Sequence, residues 1–594
     1  MSTKTIEQFF TGKTLSIPAY QRDYAWTTTN VDDLFEDIEE AMDLGGGHYL
    51  GTFILSQPDR HSPMHVVDGQ QRLTTLTMLL NALIEKVTDK DVRSFYRSTY
   101  ISHPVHGSKF TVLGENQIFF ENLLKGNPPA PVSDGQERLR AAYDWIQQRI
   151  SATAEAGGQD ALKKWLTSIS NLEVLEFTES DEGKAIRMFQ SVNDRGVPLA
   201  KMDIAKSLLI YYSNRFLSGE LDTMIAERFG EAFRCFSQIK RLAAQSGYQI
   251  RIINRDPFRE DDVFRYHYFA FDGEPYDAPC GVDYNATSET VLEEFLKPSL
   301  KGMRSDRERL RKFIEAYVSD LASFFKGLLG LVTTTRQDRQ LYMLFVIQDV
   351  SATLYPLLIR LHLQKRLNNR VENHLNRSLL QLIEMVDLRV YKIQATNPQA
   401  DIAALIKGLN SLDDESVANT LLFVCQRFMP SAKLQARLSD EAMYRNPGTL
   451  RIFLAYEDTT RQSQGAALLS TDELVALVKD GITIEHVIPQ EPSFGIKQYG
   501  FHSEESYLEN IHLLGNLLPL EKRINSACSN NSTEDKISSR KLYRTSAFHS
   551  VKTLAAKHAN TSPAFNKRAI HERSASLAAF AVSTWPMSEA ELTE

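Results

Sequence analysis

The rhythm of polar and apolar residues changes several times along the chain, and each change predicts a different element. After Asn30, the apolar residues Val31, Leu34, Phe35, Ile38 and Met42 recur at helical spacing and leave the seven acids of residues 32–43 for a solvent face. A helix capped by Asn30 is expected there. Residues 48–56 and 64–67 read as strands and 73–84 as a helix rich in Leu and Thr. The polar, Gly- and Pro-containing stretch 102–135 predicts a loop or insertion, and 172–177 another strand. Helices are expected at 183–192 and 200–212, flanking the segment N-D-R-G-V-P-L.

From 216 to 430 long helical patterns dominate, such as 307–329 and 342–366, with a Gly/Pro/Asp-rich loop at 272–285 and no repeat of fixed period. Beyond Ser470 the pattern changes again. A helix at 472–479 leads to Gly481, the β-branched run I-T-I-E-H-V-I, a loop, the apolar run I-H-L-L-G-N-L-L and more helix. That order is strand, loop, strand, helix.

Length turns this series into domains, because 594 residues exceed what one hydrophobic core organises. We expect an α+β multidomain chain of three segments: 1–215, a helical linking segment 216–435, and 436–594. Hydrophobic residues at 42% and charged residues at 24% fit ordinary globular units. No leader pattern opens the chain and no apolar run approaches a membrane span, so a cytoplasmic protein without a membrane partner is expected. Cys235, Cys280, Cys425 and Cys528 form no C-x-x-C pair and read as reduced packing residues. The net charge of -8 is no bar to nucleic-acid binding, since residues 521–573 carry eleven Lys or Arg against four acids. Arg360, Lys365, Arg366 and Arg370 form a second basic group, suited to phosphates or to a solvated helix face.

The strand end I482-T-I-E-H-V-I-P-Q490 sets Glu485 beside His486, and H512-L-L-G-N516 is followed nine residues on by Asn525. These residues resemble the ββα-metal fold of HNH endonucleases, in the restriction-type pattern E-H-x-x-P-Q, G-N-L, then Asn and Lys. The resemblance implies a catalytic set of His486, Asn516 and Asn525 acting on double-stranded DNA. His486 would be the general base, a role that suits a neutral imidazole at cellular pH. Glu485 and Asn525 would offer oxygen ligands to Mg²⁺ or Mn²⁺, Asn516 would orient the His486 ring, and Lys536 and Lys541 on the next helix would neutralise phosphates. His512 receives no role.

Three motifs stand out nearer the N-terminus: I17-P-A-Y-Q-R-D-Y-A-W26, V67-D-G-Q-Q-R-L73, and F189-Q-S-V-N-D-R-G-V-P-L199 with Asp203 and Lys206 beyond. The second closes a strand and opens a helix, leaving backbone N–H groups for an anion, with Arg72 as a bidentate phosphate donor. Pro18, Tyr20, Tyr24 and Trp26 read as packing residues. Gly12-Lys13-Thr14 imitates the end of a P-loop, but Glu7 stands where the first Gly is needed and no strand precedes it.

These motifs resemble the N-terminal domain of GmrSD-type, modification-dependent restriction enzymes, which is related to the ParB/sulfiredoxin fold. The resemblance implies binding and hydrolysis of a nucleoside triphosphate (GTP, ATP or CTP) at Asp68, Gly69, Gln70, Gln71 and Arg72, with Gln21 and Arg22 in the same site. The whole chain then reads as a single-chain type IV enzyme of phage defence that attacks modified DNA, whether glucosylated, hydroxymethylated or phosphorothioated, and it admits a homodimer. The rival readings are a nicking or abortive-infection nuclease indifferent to modification, and a non-catalytic ParB-like regulator with a decayed HNH module.

Overall fold

The computed structural model describes residues 2–18, 21, 23–43, 49–57, 62–103, 107–112, 114–180, 200–255, 257–271, 273, 284–491, 495–560, 563, 565–588 and 591. The chain packs as two compact units, Met1–Ser237 with Gly273–Pro279 and Thr287–Ala322, and Gln238–Asp272 with Cys280–Ala286 and Ser323–Glu594. The second unit runs across the expected division at 435. One reason is direct packing of helix Ser431–Asp440 on helix Lys567–Thr584. Among the described residues no helix is long and apolar enough to cross a membrane.

The first unit is built on a mixed six-stranded sheet. Its strands are β1 (Ser2–Thr5), β2 (Leu15–Ser16), β3 (Tyr49–Ser56), β4 (Met64–Asp68), β5 (Phe110–Thr111) and β6 (Glu173–Glu179), in the order β1-β6-β3-β4-β2-β5. β3 pairs parallel with β6 and antiparallel with β4, so the D-G-Q-Q-R motif leaves the sheet from an interior strand. Helix α1 (Thr28–Asp43) turns Val31, Leu34, Phe35 and Ile38 inward as its spacing requires. It starts before the expected cap. Asn30 lies in the first turn and accepts from Thr27, through backbone N and Oγ1, at 3.1 Å each.

Helix α2 (Gln70–Lys86) is enclosed on all sides, with every residue from Leu73 to Ile84 buried. Burying its threonines would be costly unless their hydroxyls were satisfied. Thr74, Thr75 and Thr77 donate to the carbonyls of Gln70, Gln71 and Leu73, one turn back. The stretch expected as a loop at 102–135 carries β5 and a helix, Gly114–Leu124, because Phe119, Phe120 and Leu123 fill the core. The helix expected at 200–212 is present as α3 (Lys201–Leu217). The one expected at 183–192, the N-D-R-G-V-P-L turn, Tyr20, Arg22 and Cys280 lie outside the described residues.

Helix Arg307–Thr334 follows its predicted pattern. The helix expected over 342–366 is broken: a π-helical turn at Met343–Ile347 ends, and helix Tyr355–Leu363 starts afresh with Pro356 in its first turn. Proline is tolerated there and not in a continuous helix. Buried Asp387 holds the break, accepting from Gln348 Nε2 (2.8 Å) and Ser351 N (2.9 Å). In the basic group nearby, Arg360 donates to Ala270 O, Arg366 to Asp414 and Leu412 O, and Arg370 to Asn376 O, so these three arginines brace the fold. Cys235, Cys425 and Cys528 are buried and form no disulfide among the described residues.

Candidate active site

In the second unit, strands β7 (Ile482–His486) and β8 (Leu517–Glu521) pair antiparallel, with Glu485 opposite Leu518 and His486 opposite Leu517. Helix α4 (Lys522–Cys528) follows at once, so the strand, strand, helix order is as expected. The second apolar run differs in its first half. Residues Glu504–Ile511 are helical, Leu514–Asn516 form a 3₁₀ turn, and only then does β8 begin.

That turn is clamped by helix α5 (Lys567–Thr584). Gly515 N donates to Ser574 Oγ (2.8 Å), and Arg573 donates to Gly515 O (2.7 Å) and Leu517 O (2.6 Å). A Cβ on Gly515 would stand 1.9 Å from Ile570 O, which explains the glycine. Asn516, fully buried, accepts from Ile488 N (2.9 Å) and donates to Ile488 O (3.0 Å) and Ile511 O (2.9 Å). The expected role of Asn516 in orienting the His486 ring is therefore corrected: its amide is spent on backbone, fixing the chain just beyond β7.

Glu485 and His486, neighbours on a strand, reach different partners. The Glu485 carboxylate meets Lys536 Nζ at 2.8 Å and accepts from Tyr543 OH (3.3 Å). Lys536, on the short helix Thr533–Ser538, is wholly buried and also donates to His486 O (2.9 Å), so it cannot neutralise DNA phosphates as expected. Lys541 lies exposed beyond the end of that helix. Burial raises the carboxyl pKa of Glu485, opposed by Lys536. Asn525, on α4, donates to Thr483 Oγ1 (2.7 Å), which ties the helix to the first strand.

The His486 ring, 3% exposed, places Nε2 3.0 Å from Nδ1 of His512. Tyr444 stacks on His512, with centroids 5.4 Å apart and planes at 13°, and its ring centre is 4.3 Å from that of His486. Burial above all, then His512 and Lys536, push the His486 pKa down to about 3, and burial and Arg445 lower that of His512. Tyr444 and His512 were missed by sequence reasoning. The only signal was a histidine opening the apolar run, and Tyr444 precedes the expected strand by some forty residues.

These residues, as arranged, do not fit a divalent cation. The single carboxylate is already neutralised by a buried ammonium, and among the described residues no three His, Cys, Asp or Glu side chains gather to hold a metal.

In the first unit the structure joins the N-terminal motifs. Gln21 Nε2 donates to Val67 O (2.7 Å), while Gln71 accepts from Ala25 N (2.8 Å) and donates to Asp23 O (3.1 Å). Both glutamines, expected to touch nucleotide, spend these groups binding the two motifs together. Lys206, 2% exposed, donates to Gln21 O (3.4 Å), and burial lowers its pKa to about 8. Asp68 accepts from Gly69 N (2.8 Å); burial raises its pKa, with Arg72 opposing. Gly69 has φ +91° and a Cβ there would strike the Phe53 ring at 2.4 Å, so glycine is required where α2 begins. Gln70 is 7% exposed, and its Oε1 has no hydrogen-bond partner among the described residues. Tyr24 packs as expected, its hydroxyl 2.7 Å from Thr75 Oγ1.

Residues 6–210 match the N-terminal domain of GmrSD restriction endonucleases, and residues 429–580 match the C-terminal domain of GmrSD restriction endonucleases. No curated protein matches the chain. The two matches occupy the parts of the chain that hold the joined motifs and the His486 site, and together they cover more than half of it. The chain belongs to the GmrSD family and is a restriction endonuclease, a hydrolase whose substrate is DNA.

Proposed function

We propose that this endonuclease cuts DNA at an HNH-type centre around His486, and that its N-terminal domain makes cutting depend on a nucleoside triphosphate and on modification of the DNA. The observation that carries the reading is a buried histidine beside a carboxylate at the end of the first strand of a β-β-α unit. A neutral imidazole takes the proton of a water; the water oxygen bonds phosphorus, and the P–O3′ bond breaks with its electron pair leaving on the 3′ oxygen. Exposed Lys522 and Arg523 on α4, with Lys541, supply cations to the strand backbone. Dependence on Mg²⁺ or Mn²⁺ belongs to the proposal through the family resemblance alone, and no ligand set among the described residues is assigned to the ion.

The test is digestion of matched modified and unmodified phage genomes with GTP, ATP or CTP and either metal. Modified DNA is expected to be cut, and to change the rate of nucleotide hydrolysis, while unmodified DNA of the same sequence does neither. Equal cleavage and equal hydrolysis on both would overturn the selectivity and favour an indiscriminate nuclease.

The nucleotide site is proposed at the start of α2, around Asp68 and Arg72. Asp68→Ala and Arg72→Ala are each expected to lower nucleotide hydrolysis by about 10²-fold, the scale of lost charge stabilisation, in a phosphate-release assay. Unchanged hydrolysis in both variants would place the nucleotide elsewhere.

A further inference from the structure

The main chain around His486 is held by three hydrogen bonds, one from Lys536 and two to Asn516. Lys536 donates to its carbonyl (2.9 Å), Val487 N donates to Asn516 O (2.8 Å), and Ile488 N donates to the Asn516 side chain (2.9 Å). None of these touches the imidazole. The ring meets His512 through Nε2 and Tyr444 through its face. His512 is itself well anchored: its carbonyl accepts from Met443 N (2.8 Å), Leu513 bridges to Ala442, and Asn446, just past Tyr444, donates to Lys392 O (3.1 Å).

Two imidazole nitrogens 3.0 Å apart share one proton. If it sits on His512, His486 keeps its lone pair on Nε2, where His512 blocks it, and carries a proton on Nδ1. If it sits on His486 Nε2 and points at the lone pair of His512 Nδ1, the lone pair of His486 is left on Nδ1. Only the second arrangement gives His486 a nitrogen able to accept a proton from water.

We propose that His512 is a positioning residue for catalysis: its Nδ1 accepts from His486 Nε2 and so selects the tautomer and ring orientation in which His486 Nδ1 is the base. Tyr444, stacked on His512, keeps that ring in plane with its task. This rests on His486 being the base. The step stays balanced: the proton from water goes to Nδ1, the Nε2 proton remains shared with His512, and the imidazolium formed is stabilised by the neutral acceptor beyond it.

The test uses the full chain and two near-isosteric variants. His512→Asn sets an amide oxygen close to where Nδ1 stands and keeps an acceptor; His512→Leu removes it. On a DNA substrate the full chain cuts, kcat of His512→Leu is expected to fall by about 10²-fold with KM changed less than about threefold, and His512→Asn to recover to within about tenfold of the native rate. Melting temperatures measured alongside separate folding from chemistry. Equal kcat in the Leu and Asn variants, at any level, would overturn the proposal. Should His512→Leu fail to fold, His512→Ala takes its place as the variant without an acceptor, and the same comparison decides: kcat about 10²-fold down beside a His512→Asn within about tenfold of native supports the proposal, and equal kcat in the two overturns it. His486→Ala, run in parallel, keeps the two ideas apart, because native cleavage there removes the base itself, whereas its loss beside unaffected His512 variants removes only the positioning role.

Discussion

His486→Ala is expected to lose DNA cleavage by about 10²-fold or more, the ordinary scale for removing a general base, while melting temperature and DNA binding stay close to native. The expectation follows from how the site is braced. The backbone at residues 486–488 is fixed by Lys536 and Asn516, neither of which depends on the imidazole, so the substitution removes a proton acceptor and leaves its frame. A gel assay of cleavage together with an electrophoretic shift assay of binding checks both halves. Wild-type cleavage by the variant would remove His486 from the mechanism, and loss of binding along with cleavage would mean that the ring holds the strand pair together.

Gly515→Ala is expected to act in the opposite way, through the fold. The new methyl would stand 1.9 Å from Ile570 O and 2.7 Å from Ser574 Oγ. The nearest obstacle is helix backbone, which cannot rotate away as a side chain would. Either α5 moves off or the 3₁₀ turn opens, and each breaks the Arg573 and Ser574 bonds to the turn. A loss of about 3 kcal/mol, at the upper end of the usual overpacking cost, should appear as a lowered denaturation midpoint of the full chain, and cleavage should fall with it because Asn516 sits in the same turn. A native midpoint would show that the turn and helix have slack. The two substitutions are close in sequence pattern and far apart in cause.

This contrast also marks what the sequence made legible. The strands and helix that carry Glu485, His486 and Asn525 were legible, because they follow from short apolar runs. Their partners were not, since they are set by packing over long separations. Asn516 has the hydrogen-bonding capacity to hold an imidazole, and nothing in the residue itself tells that Ile488 and Ile511 backbone groups claim it. Lys536 follows a basic count that suggests a DNA-facing helix, yet its side of that short helix turns inward to Glu485. The same holds for Gln21 and Gln71, polar residues in a ligand-like motif whose amides close a joint between two segments. Asn30 is a different kind of miss: helix-start residues cluster there, and Thr27 takes the outer place. Pro356 was a visible reason to break the helix over 342–366, and periodicity on both sides of it obscured the break.

Glu457 belongs to a helix, Thr449–Ser463, that precedes β7 and β8, and its carboxylate is fully buried. It accepts from His549 N and Ser550 N at 2.8 Å each and so starts helix His549–His558 from more than ninety residues away. Tyr444, against the histidine pair, comes from the same preceding stretch. The nuclease is thus not a cassette that begins at its signature strand. A recombination event, or an engineered graft, that carried over the β-β-α unit alone would deliver Glu485 and His486 without the ring that walls His486 in and without the carboxylate that seeds a neighbouring helix. Whole-module exchange between such enzymes has its natural seam upstream of Ser431, because helix Ser431–Asp440 packs on α5 and Ala442 bridges to Leu513.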